Sequence, residues 1–255
     1  FLIPFLVMLC LTWSLSTAAW ARNKGYLALV QGHPEHAVAI LEDAVHNWPN
    51  DLSLARALGD AYRLQGHIDL AVREWRRGRV VVPILEAAAQ MEKKEQWAYA
   101  ASLYGIVVEI DAKNQRAHSG LGRSVYQAYG DEVWAQQCFE QAVQLQPDDV
   151  WSYIEIAEIH RRAGRYEQAI QELNSARLAS PSDENPLIFL GQIFYLKEQF
   201  EEAEAYLSKA VSMNRNNASA RCQLGRTYHS IGRLNDAMVE LHQAIALDPT
   251  GPWGH

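Results

Sequence analysis

The first residues to test for chemistry are those in "HPEH", His33 to His36, where two imidazoles flank a carboxylate within one short stretch. Neutral imidazoles and carboxylates are the usual oxygen and nitrogen donors of a zinc or transition-metal site. A second cluster, "EIAEIHRR" from Glu155 to Arg162, sets carboxylates beside a histidine, the pairing that general acid–base catalysis needs. Neither survives a reading of its surroundings. "HPEH" falls at a turn, where polar residues belong in any case, and the second cluster has the composition of a solvated helix face. The three cysteines, Cys10, Cys138 and Cys222, show neither a disulfide framework nor zinc spacing, and Cys138 precedes a packing phenylalanine. "NAS" at Asn217 matches a glycosylation acceptor, which matters only in a secretory setting. There is no phosphate-binding glycine loop, paired-histidine zinc helix or nucleophile elbow. A net charge of −7 argues against nucleic acid as a partner. The sequence therefore predicts a protein that is not an enzyme, with no catalytic residues, no metal site and no cofactor.

The elements that carry these residues repeat along the chain. Ala37, Ala71, Ala100, Ala135, Ala169, Ala203 and Ala237 are separated by 34, 29, 35, 34, 34 and 34 residues. Four positions after each stands a large residue: Leu41, Trp75, Tyr104, Phe139, Leu173, Leu207 or Leu241. Seven positions after it a small one recurs (Ala44, Gly78, Ala142, Ala176, Ala210, Ala244), with Val107 the exception. Twelve positions before it stands Gly25, Gly59, Ala157, Gly191 or Gly225, and twelve after it Pro49, Pro83, Pro147, Pro181 or Pro249. Small residues let helix axes approach closely, the large ones fill the adjoining space, and apolar positions three and four apart form the stripe each helix buries. Gly32, Gly66, Gly164 and Gly232 suit the left-handed turn between two helices, and a proline stops one helix and can open the next. The period implies stacked helix pairs.

This pattern resembles the tetratricopeptide repeat (TPR) family, over about residues 18 to 251. The resemblance implies an all-α fold: a right-handed superhelical solenoid of about seven helix-turn-helix units, at 18–51, 52–83, 84–114, 115–149, 150–183, 184–217 and 218–251, with a tail at 252–255. It also implies a concave groove that holds a peptide or another protein, lined by the second, fifth, ninth and twelfth positions of each first helix. Those positions give Arg56, Asp60, Arg63, Arg116, Arg123, Trp151, Glu158, Arg161, Gln192, Tyr195, Arg226 and His229 as the partner-binding set. Arginine and aromatic residues together are typical of binding hot spots. The lysine–asparagine clamp of the family's chaperone-tail binders is replaced here by Arg56 with Asp60, Ile154 with Glu158 and Cys222 with Arg226, so that activity is not expected. Two units depart from the pattern. The first helix of the third must fit into "ILEAAAQMEKKEQW", five residues short, and the fourth carries one residue too many before Ala135 with Gly130 displaced, so a change of curvature is expected around 83–130.

The opening segment, Phe1 to Ala21, contains no charged residue. As a helix it would reach roughly 31 Å, against about 30 Å of bilayer hydrocarbon. It is read as a single-pass membrane anchor in contact with lipid, with Trp13 and Trp20 at the interfaces and Arg22 and Lys24 marking the edge. A cleaved signal peptide, with its small residues at Ala19 and Ala21, is the rival reading. The expectation is a membrane-anchored scaffold, bacterial by resemblance and with its repeats outside the cytoplasm, that docks protein partners as an accessory or assembly subunit of a membrane complex. The alternative is the C-terminal repeat domain of a larger polytopic membrane enzyme such as a glycan ligase or glycosyltransferase. A polar terminal helix is missing after Pro249, so a further repeat or a partner subunit is expected to cover the helix around Ala237 to Leu247.

Overall fold

The computed structural model describes residues 17–249, which are all helix and connecting turn. The helices are α1 (17–30), α2 (Pro34–Asn47), α3 (Leu52–Leu64), α4 (Ile68–Arg77), α5 (Val82–Lys93), α6 (Trp97–Ile110) and α7 (Gln115–Tyr129). They continue as α8 (Glu132–Leu145), α9 (Val150–Arg162), α10 (Tyr166–Ala179), α11 (Asn185–Leu196), α12 (Phe200–Met213), α13 (Ala218–Ser230) and α14 (Leu234–Leu247). The chain forms two compact units that divide between Ser124 and Val125, inside the stretch 83–130 where the repeat pattern is disturbed.

Within each unit the helices pack on their neighbours in sequence for the reason the spacing gives. Trp75 on α4 is fully buried, and a Cβ added to Gly59 on α3 would lie 2.4 Å from its ring. A Cβ on Gly191 of α11 would likewise meet Leu207 of α12 at 2.5 Å. Only glycine allows these helices to come so close. In the second unit Leu173, Leu187, Leu190, Ile193 and Leu207 form one continuous core with Ala169, Ala176 and Ala210. There α9 touches α11 and α11 touches α13, so first helices of successive pairs lie side by side. In the first unit α1 reaches α3 through the Tyr26–Asp60 hydrogen bond, and the second helices α4 and α6 also meet.

The turns within pairs use one device, except at Gly130, whose N–H donates four residues back to Tyr126 at 2.9 Å. At Gly66 and Gly164 the left-handed residue donates its N–H three residues back, and the next residue donates to the carbonyl five back: Gly66 to Arg63 at 3.0 Å, His67 to Tyr62 at 3.0 Å. Glu95 (φ 57°) and Glu198 (φ 59°) adopt the same conformation and make the same bonds. The sequence pattern has no glycine at these two places.

Two expectations are corrected. The five-residue deficit does not shorten the first helix of the third pair alone. It falls chiefly on α4, which has 10 residues where α2, α6, α8, α10, α12 and α14 have 14, a loss of about one turn. Gly78, which fills the small-residue position of the repeat, is instead the C-cap of α4, with the left-handed Arg79 (φ 53°) after it. Pro83 sits in the first turn of α5 rather than in the preceding loop. The second correction concerns the membrane. No helix among the described residues is long and apolar enough to cross a bilayer, which overturns the single-pass localisation, and the described residues give the lipid contact through residues 1–21 no support. Residues 17–21 belong to α1, where Ala18 and Ala21 are only 3 % and 6 % exposed, and Trp20 has Lys24 above its ring. Ala21 lines a recess shared with His36 and Ile40 of α2, so this turn stands beside protein on that side. The remainder of the proposed anchor, including Cys10 and Trp13, lies outside the described residues.

Candidate functional site

The predicted binding residues fall on α3, α7, α9, α11 and α13, and the two units treat them differently. In the first unit Arg56 and Arg63 on α3 and Arg116 on α7 are exposed. Among the described residues none of these three guanidinium groups has a hydrogen-bond or ion-pair partner. Asp60 is half-buried and already engaged, accepting from Trp75 Nε1 at 3.1 Å and from Tyr26 O–H at 3.4 Å. Burial, with Asp60 next in weight, pushes the Tyr26 hydroxyl above the ordinary tyrosine range and keeps it a donor. Asp60 thus satisfies the buried indole, the usual requirement of a tryptophan in a core. Arg123 reaches Glu92 at 3.4 Å, and Glu92 also accepts from Tyr104 O–H at 3.1 Å.

In the second unit the corresponding cations are spent internally. Arg161 grips Glu158 with two parallel bonds of 2.6 Å, and Arg162 adds a third of 2.8 Å while lying over the Tyr126 ring. Burial opposes ionisation of Glu158, but these guanidinium bonds outweigh it and hold the carboxyl below the usual glutamate range. Arg226 lies over the Tyr195 ring at 5.3 Å, and Tyr195 shares a 3.0 Å hydrogen bond with Ser230 and meets Phe200 edge-on. The structure therefore brings Tyr195 and Arg226 together across α11 and α13. Trp151 is 54 % exposed on α9, Gln192 is half-buried and His229 is exposed.

The other candidates take structural places. His33 is the N-cap residue of α2 with Pro34 in its first turn, and no metal-holding group of histidine, cysteine or carboxylate residues occurs among the described residues. His160 is buried and accepts from Arg165 Nε at Nδ1; burial, and then the neighbouring guanidinium, lowers its pKa. Burial pushes the Cys138 thiol up to about 11 and raises Cys222 as well, so neither is an activated nucleophile. Asn217 caps α13 through Ala220 N–H and donates to Glu184.

Helix pairs of this spacing, with small residues beneath large ones and left-handed turns between, agree with the sequence comparison. Profiles described as tetratricopeptide repeat match residues 22–78, 126–193 and 195–252. The chain belongs to the tetratricopeptide repeat family. Among curated proteins this TPR chain is similar to Superkiller complex protein 3 of Mus musculus, 19 % identical over 88 % of this chain and 17 % of that protein. It is also similar to the probable UDP-N-acetylglucosamine–peptide N-acetylglucosaminyltransferase SPINDLY of Arabidopsis thaliana, 29 % identical over 38 % of this chain and 11 % of that protein. The chain thus spans less than a fifth of the length of either relative. Among solved structures it resembles a TPR protein of Thermus thermophilus, with a TM-score of 0.57 and 21 % identity over 67 % of this chain and 93 % of that one. That likeness establishes the repeat fold.

Sequence reasoning missed one set of residues. Three second helices carry a glutamate, Glu74, Glu172 or Glu240, three residues after the repeat alanine, where other units have Ile40, Leu103, Cys138 or Tyr206. Glu74 is 5 % exposed, and Glu240 is ion-paired with Arg221 at 2.6 Å. An acidic residue in a position that is otherwise apolar or small is the signal that would have found them.

Proposed function

We propose that this TPR protein is a non-catalytic interaction scaffold whose first unit docks an acidic segment of a protein partner through Arg56, Arg63 and Arg116. The observation that carries this reading is that these three groups stand exposed without internal partners, while Arg161 and Arg226 are already occupied. Guanidinium forks take carboxylates in two-pronged fashion, and three of them on one unit suit a partner with several aspartates or glutamates. The family's habit of holding protein partners supports the scaffold class. The similarity to a protein named as part of a complex supports a role as an assembly subunit. The similarity to a glycosyltransferase covers a tenth of that enzyme, so its activity is not carried over.

The test is capture from source-cell extract with the full chain and with the triple variant Arg56→Glu, Arg63→Glu, Arg116→Glu, compared by quantitative mass spectrometry. The reading expects a partner held in stoichiometric amount at low salt to be lost from the variant and released from the wild type as salt rises. A partner retained equally by both proteins removes these arginines from the account.

A further inference from the structure

The face of the first unit that carries Glu74 holds a cleft of 360 Å³ between α2, α3 and α4, lined by Glu42, Leu58, Tyr62, Arg73, Glu74 and Arg77. Glu74 is the anomaly in it. Its Oε1 accepts from Arg73 Nε at 3.0 Å, but its Oε2 has no hydrogen-bond partner although the residue is buried. Arg77 Nη1 stays 3.7 Å from that oxygen, outside hydrogen-bond range, because its other nitrogen donates to the Pro49 carbonyl. Even with the Arg77 charge nearby, a buried carboxylate oxygen that receives no hydrogen bond costs more than an average hydrogen bond is worth.

The chain itself shows what such an oxygen takes. The cleft between α12, α13 and α14 repeats this one, with Leu224, Tyr228 and Glu240 at the helix positions of Leu58, Tyr62 and Glu74. There the glutamate is met by Arg221, whose Nη1 lies 2.6 Å from Glu240 Oε2 and whose Nε donates to the Arg215 carbonyl at 2.8 Å. The two side chains are 12 % and 18 % exposed. The position of Arg221 is held by Ala55 in the first unit. We propose that the cleft between α2, α3 and α4 is a binding site for a guanidinium group supplied from outside the chain by an arginine side chain, seated on Glu74 as Arg221 is seated on Glu240.

Glu42 adds a second carboxylate at the rim, held in place by the Tyr62 hydroxyl. Arg73 and Arg77 set the selectivity. Both are more exposed than Glu74 and already engaged, so a compact ammonium gains less there than a planar fork that can share the carboxylate edge. The site is separate from the proposed acidic-segment surface. The variants that test it leave Arg56, Arg63 and Arg116 intact, so the two readings fail independently.

The experiment is a titration of the full-length chain, followed in amide proton–nitrogen spectra, with N-acetyl-arginine amide, its neutral citrulline counterpart and free arginine. Saturable shifts at Leu58, Tyr62 and Glu74 are expected with the arginine amide and none with citrulline. Glu74→Gln, close to isosteric, should weaken binding at least about tenfold, the loss of a charge-assisted hydrogen bond. Ala55→Arg should abolish it and raise Tm by supplying from within the hydrogen bond that Glu74 Oε2 lacks. Tighter binding of the blocked amide than of the free amino acid identifies a polypeptide as the source, the reverse identifies the amino acid, and either upholds the site. Equal shifts with citrulline, or undiminished binding by a natively folded Glu74→Gln, would overturn it; that variant decides the matter even where Ala55→Arg fails to fold.

Discussion

Apart from Arg123, which is paired with Glu92, the two compact units present the same kind of arginine in opposite conditions. In residues 17–124 Arg56, Arg63 and Arg116 are exposed and unopposed, whereas in 125–249 Arg161 is locked onto Glu158 and Arg226 lies on Tyr195. The units also differ in regularity. First helices touch first helices in both, but in the first unit α4 is a turn short and meets the second helix α6 as well. Residue type at a repeat position therefore does not by itself leave a group free. Neighbours within the unit decide whether it is already engaged.

The largest effect that could break this comparison comes from the packing beneath the exposed arginines. Trp75 fills the space left by Gly59 and anchors Asp60, so Trp75→Ala should cost about 3–5 kcal/mol. Hydrogen exchange should rise in α3 and α4, while amides in 125–249 keep their protection. Leu207→Ala under Gly191 should do the converse at a cost of about 2–4 kcal/mol. Equal loss of protection in both units after either change would show that the two do not hold their residues separately.

These packing positions were legible in the sequence because they are dictated by helix geometry alone: a large side chain needs a small one opposite it, at a spacing that returns with every pair. The shortened α4 was hidden for a related reason. Gly78 and Pro83 satisfy the expected spacing, yet the same glycine that permits close helix approach also ends a helix, and the same proline opens one as readily as it follows one. The site was less legible than the fold. Glu158 sits three and four residues before Arg161 and Arg162, so its pairing was open to inspection on one helix. The contact of Tyr195 with Arg226 joins different helices, and spacing alone does not give it. Glu74 and Glu240 could be seen as acidic interruptions of an otherwise apolar or small series, but only the packed structure shows that Glu240 Oε2 receives an arginine hydrogen bond and Glu74 Oε2 receives none.

The next effect sharpens the contrast through pH. Because the folded-state pKa of Glu158 is depressed, its stabilising contribution is complete above the ordinary glutamate value and disappears as pH falls through the lower, folded value. Wild type should be more stable than Glu158→Gln at neutral pH, and the difference should close in acid. Carbon-13 titration of the side-chain carboxyl should place its midpoint below that of an exposed glutamate in the same spectrum. A midpoint at or above the ordinary value would mean that burial prevails over Arg161 and Arg162, and Arg161 would then be available to a partner like the arginines of the first unit.

The smallest effect asks whether the units differ in their turns as they do in their charges. Glu95 in the first unit and Glu198 in the second both hold left-handed conformations that glycine supplies at Gly66 and Gly164. A side chain with a Cβ costs about 1–2 kcal/mol in that conformation, while glycine loses about 0.5–1 kcal/mol through the freedom of its unfolded chain. Glu95→Gly and Glu198→Gly should therefore each stabilise the protein by about 0.5–1 kcal/mol, read as a rise in denaturation midpoint with an unchanged m-value. Gly164→Ala should lose about 1 kcal/mol, since its site is sterically open and only the backbone resists. Equal gains at Glu95 and Glu198 would show that the helix turns are equivalent in both units, leaving the contrast to α4 and to the arginines. A gain at Glu198 alone would extend the irregularity of the first unit to its last turn, because the Glu95 side chain would then be contributing something that glycine cannot replace.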